Sequence, residues 1–94
     1  MLEMLDDVFR GIFRDVLYTV IHLENYRDAE QLVADAIRMT DRPHEITEEQ
    51  WSTFVCHMSH GIHIMLNENE NSLPKSEIVR IVFHHAIHTI QESV

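Results

Sequence analysis

Two glycines and two prolines are all that this chain of 94 residues has of the types that most readily reverse a backbone. A sandwich or barrel of short strands needs a turn about every ten residues, and so many more of them. A disordered segment would also be richer in such residues and poorer in apolar ones than the 45% found here. The chain is therefore confined to a few long elements with short connections, and the spacing of its apolar residues says that they are helices.

From Leu2 to Leu23 apolar residues fall at Leu5, Val8, Phe9, Ile12, Phe13, Val16, Leu17, Val20 and Ile21, the three-then-one rhythm of one helix face. Asn25 can cap a second, shorter helix with Ala29, Leu32, Val33, Ala36 and Ile37 on one side. That helix ends before Asp41-Arg42-Pro43, because proline disfavours helical geometry in the residue preceding it. The third start is the best marked. Thr47 and Gln50 stand at capping-box positions, with Ile46 and Trp51 placed for a hydrophobic staple. Trp51, Val55, Met58, Ile62 and Met65 then repeat at fours and threes, as the seam of a bundle requires. After the polar stretch NENENSLP, Ser72 or Ser76 caps a last helix whose core residues are Val79, Val82, Phe83, Ala86 and Ile90. The expected fold is all-α, a four-helix bundle that is up-and-down or slightly irregular. Its helices lie near 2–23, 26–40, 48–67 and 74–92 in a single domain, 1–94.

Sixteen carboxylates against seven Lys and Arg leave a formal charge of −9, which repels a phosphate backbone. Direct nucleic-acid binding is not expected. The acidic start MLEMLDD is unlike a basic secretory leader, and Arg10, Arg14 and Asp15 interrupt any apolar run long enough to span a membrane. A lone cysteine, Cys56, suits a reducing compartment. A cytoplasmic protein without a membrane segment is expected.

Histidine is the outlier in composition. Eight imidazoles would move the charge from −9 to −1 on full protonation. Three of them crowd into HHAIH at 84–88. His84 and His88, four apart, stack on one side of a helix and can chelate one transition ion; Cys56 and His60 repeat that spacing. One thiolate and three imidazoles would suit zinc, but both pairs project away from their own core stripes. Such a site is expected only between two subunits.

The last helix is apolar over much of its circumference. Ile78, Ile81 and His85 extend its apolar surface, and Ile64 lies on the outward side of the third helix. Either that helix is the most buried of the bundle, or these four residues face a partner such as a second copy. Imidazoles buried at such a contact would resist protonation, so a dimer built there should loosen in mild acid. Catalysis is not expected. Cys56 and His57 are adjacent on a helix and point about 100° apart, and Cys56 with His60 has no evident oxyanion donor. HExxH, CxxC and ExxH do not occur. The functional expectation is a non-enzymatic, acidic protein-interaction module, a homodimer that regulates or inhibits a basic or nucleic-acid-handling partner, with no cofactor. The alternative is a transition-metal-binding bundle using Cys56, His60, His84 and His88 with zinc.

Overall fold

The computed structural model describes residues 2–68 and 73–92, with side chains placed for 7–68 and 73–91. Four helices follow one another: α1 (Leu2–Ile21), α2 (Ala29–Arg38), α3 (Glu48–Asn67) and α4 (Lys75–Glu92). No strand occurs among the described residues. Each helix packs against two neighbours, so that α1, α2, α3 and α4 close a ring, giving a body of 37 × 23 × 21 Å.

Contacts at the two ends make the neighbours antiparallel. Gln50, in the first turn of α3, donates its side-chain amide to the carbonyl of Ile90 near the end of α4. At the opposite end Asn67 donates to the Tyr26 carbonyl, and Lys75 reaches the carbonyl of Ile21. The Lys75 ammonium also lies 5.3 Å from the centre of the Tyr26 ring. A cation placed on the last carbonyls of α1 offsets the negative end of that helix.

Local chemistry explains where each element begins and ends. α1 stops at Ile21, two residues short of the apolar pattern, where both the backbone N–H and the ring Nδ1 of His22 turn back onto the Tyr18 carbonyl. The Asn25 side chain accepts from the Arg27 N–H and starts a 3-10 turn at Tyr26–Asp28 that feeds directly into α2. The capping box at α3 is fully made: Thr47 Oγ1 accepts from Gln50 N–H, and Gln50 Oε1 accepts from Thr47 N–H. Pro74 immediately precedes α4, and its carbonyl accepts from the N–H groups of Glu77 and Ile78. Ser76 therefore lies inside the helix and is not its cap; Ser72 is outside the described residues.

α2 has ten residues against twenty in α1 and α3. At 1.5 Å per residue it covers about 15 Å of a bundle twice that long. The α2–α3 connection closes the uncovered part, where Pro43 and Ile46 are buried. The Ile46 N–H donates to the Pro43 carbonyl, and Arg42 donates to the Ile46 carbonyl, so the segment satisfies its own polar groups while it plugs the core.

The diagonal of the ring is filled by aromatic rings. Phe54 is fully buried, with Phe9 at 5.2 Å and Phe83 at 6.2 Å, both edge-on, and Trp51 stacked at 5.8 Å. Phe13 meets Phe83 at 5.1 Å. Three helices thus share one aromatic cluster, and edge-to-face pairs of this kind contribute about 0.5–1.5 kcal/mol each beyond area burial.

The two glycines differ in what surrounds them. A Cβ added at Gly11 meets nothing within 4 Å, whereas one at Gly61 would stand 2.9 Å from Cγ1 of Val82. Gly11→Ala should therefore raise stability by about 0.5–1 kcal/mol through helix propensity alone. A shift of the urea midpoint to higher concentration checks it, and an unchanged or lower midpoint contradicts it.

Candidate interaction surface

Two neighbouring residues on α3 mark its two flanks. Gly61 approaches Val82 and so faces α4. His60 Nδ1 lies 3.3 Å from Glu30 Oε1 of α2 and so marks the other flank. Cys56, one turn before His60, shares its side of the helix and is exposed. On α4, Val82 faces α3 and Phe83 turns to Phe13 of α1. His84 and His88 are exposed. The Cys56–His60 pair thus flanks α2 while the His84–His88 pair belongs to α4. Among the described residues no group of three or more His, Cys, Asp or Glu side chains is arranged to hold a metal ion. Zinc bound by these four residues would need donors from a second chain.

The four residues proposed for a contact surface do not stay together. Ile78 is fully enclosed, part of the core with Val79, Val82, Ala86 and Ile90. Of the two positions expected for Ile78, the core of the bundle or a face open to a partner, it takes the first, so it does not belong to the contact surface expected with Ile64, Ile81 and His85. α4 has a neighbour on either side, and the packing of α3 and α1 accounts for most of its broad apolar girth. Ile64 remains 38% exposed, Ile81 is half-buried and His85 is exposed. Ile64 lies three residues beyond Gly61, and Ile81 directly precedes Val82. The two isoleucines therefore border the α3–α4 seam, where the missing side chain of Gly61 lets the helices come close.

Larger exposed apolar side chains lie elsewhere. Met39 just after α2 is 87% exposed, Tyr18 and Ile21 on α1 are 66% and 49% exposed, and Leu32 on α2 is 42% exposed. Ile21 and Leu32 count as core by periodicity. Ile21 is the last residue of its helix, and on α2 the buried set is Ala29, Val33, Ala34 and Ile37, which leaves Leu32 on the flank. Tyr18 and His22 stack with centroids 4.2 Å apart. Only local spacing could have indicated that pair; Met39 carries no periodic signal.

Charge is distributed as unevenly as apolar surface. Among the described residues Glu77 forms an ion pair with Arg80, and Glu30 contacts the His60 imidazole, which is charged only if protonated. Asp15, Glu24, Asp28, Asp41, Glu45 and Glu68 are exposed without a cation in contact. Among the described residues no helix is long and apolar enough to cross a membrane.

No protein-family model matches this chain, and neither a curated protein nor a solved structure shows significant similarity to it.

Proposed function

We propose that this bundle is a non-enzymatic protein-interaction module that regulates or inhibits a basic partner, such as a protein that handles nucleic acid. The observation behind this reading is the population of exposed carboxylates that no internal cation neutralises, on a chain of formal charge −9. Carboxylates that served only to staple helices would sit beside Arg or Lys of the same molecule. Left open to water, they project a field that speeds encounter with a basic surface and fixes its orientation. The exposed Met39, Tyr18 and Leu32 supply apolar area that such an encounter can bury.

Affinity capture from an extract, with the full chain as bait, tests the reading. Basic proteins should be enriched, and a variant with Asp15→Asn, Asp41→Asn and Glu45→Gln should retain several-fold less of them at unchanged helicity. These three side chains make no ion pair, so their loss leaves the fold intact. Equal retention by the variant, or capture without a bias toward basic proteins, contradicts the proposal.

A further inference from the structure

Arg10, Arg14 and Arg80 each stand three residues before a large apolar residue, Phe13, Leu17 and Phe83 respectively. On a helix that spacing sets the cation beside the apolar side chain it precedes. The fold brings the three pairs to one place. Phe13 and Phe83 meet at 5.1 Å where α1 packs on α4, and Leu17, one turn on from Phe13, continues the same side of α1. All three are half-buried, each packing on the core while part of its surface stays open. Ile21, a further turn along α1, is 49% exposed. The outer side of the α1–α4 seam is therefore an apolar strip.

Cations border that strip. Arg10 and Arg14 are exposed and form no ion pair among the described residues. Lys75, at the Ile21 end, is engaged by a carbonyl and an aromatic face, neither of which cancels its charge. Arg80 alone of these four has a carboxylate, Glu77, at 2.8 Å. Asp7 and Asp15 on α1 are exposed and pair with neither arginine. Four of the seven Lys and Arg thus gather at one seam of a chain whose formal charge is −9, a local reversal of sign.

We infer that the α1–α4 seam is a docking surface for an acidic amphipathic helix of another protein, with apolar residues at three- and four-residue spacing and carboxylates beside them. The apolar side chains of such a helix cover Phe13, Leu17, Ile21 and Phe83, and its carboxylates reach Arg10 and Arg14 on one bank and Lys75 at the end. Charge complementarity selects this occupant. Two copies joined through this seam would set like cations against each other. An anionic membrane repels a molecule of −9, and side chains half sunk in a protein core reach little way into a bilayer. The carboxylates elsewhere on the bundle do not forbid docking, because at physiological salt their field is screened over about 8 Å.

Amide NMR titration of the full chain with a synthetic peptide tests this. The peptide has 18 residues, the length of α4, with Leu at helical spacing and Glu on either flank. Signals of residues 10–21 and 80–83 should shift, and a scrambled peptide of the same composition, lacking an apolar face, should bind at least about tenfold more weakly. Arg10→Gln combined with Arg14→Gln should weaken binding about five- to tenfold, and Ile21→Ala about threefold, at unchanged helicity. Arg38→Gln, on α2 across the ring from α4, should change it less than about twofold. Absence of binding, shifts confined to other helices, equal binding of the scrambled peptide, an arginine variant that binds like the parent, or binding of phosphatidylserine vesicles in place of the peptide would each overturn the inference. An acidic probe does not report on capture of a basic partner, so this inference and the proposed function can fail separately.

Discussion

Phe54→Ala is expected to lower the thermal midpoint by about 15–30 °C, the largest effect of any single substitution considered for this chain. Phe54 has no exposed surface and lies where α1, α3 and α4 meet, in ring contact with Phe9, Phe83 and Trp51. Removing a fully buried phenyl costs about 3–5 kcal/mol, the sum of lost transfer energy and an unfilled cavity. For a domain of this size each kcal/mol displaces the midpoint by about 4–8 °C. Total stability of such a domain is only about 5–15 kcal/mol, so the variant keeps little in reserve. Helices on a ring cannot close over the hole from the diagonal, because α1 and α3 touch through these rings and not through their backbones. Circular dichroism during heating gives the answer, and a drop under about 5 °C would mean that the aromatic cluster does not hold the three helices together.

Gly61→Ala comes next, and its sign is the informative part. Alanine is the better helix former by about 1 kcal/mol, so in open space the substitution would stabilise, as it should at Gly11. At Gly61 the new methyl would lie 2.9 Å from Val82 Cγ1. Valine in a helix is nearly locked in one rotamer and cannot swing clear. Overpacking of this kind costs about 1–3 kcal/mol, enough to reverse the gain. A net loss of up to about 2 kcal/mol is expected. Val82→Ala, destabilising alone, should cost much less in the Gly61→Ala background, with a coupling of about 1 kcal/mol or more. Urea unfolding of the four proteins of this cycle measures it. Additive effects would show that α3 and α4 do not meet at Gly61, and would remove the basis for placing Ile64 and Ile81 beside that seam.

The helices and their ends were largely legible because their causes are local. Thr47 and Gln50 lie three residues apart and make the box that their identities imply. Periodicity also found Val55, Met58 and Ile62. It failed where burial depends on which flank a neighbour occupies. Leu32 satisfies the spacing of a core residue yet faces water, while Ile78 lies at the edge of the α4 stripe and is enclosed, since α4 has a neighbour on either side. The Glu30–His60 contact joins residues thirty apart, and no spacing rule connects them. It also separates Cys56 and His60 from His84 and His88, which are alike in spacing but belong to different surfaces. What the sequence does show without any structure is the absence of fixed charge from the histidine-bearing segments of α3 and α4.

The most direct test of the acidic-module account is the salt dependence of binding to a captured partner at neutral pH, measured by titration calorimetry. Contacts made by a field of exposed carboxylates should weaken at least about tenfold as salt rises from about 0.05 to about 0.3 M, because the screening length shortens across that range. An affinity that changes less than about twofold over the same span would place the binding energy in apolar contacts instead. The unneutralised charge of this bundle would then serve its solubility alone.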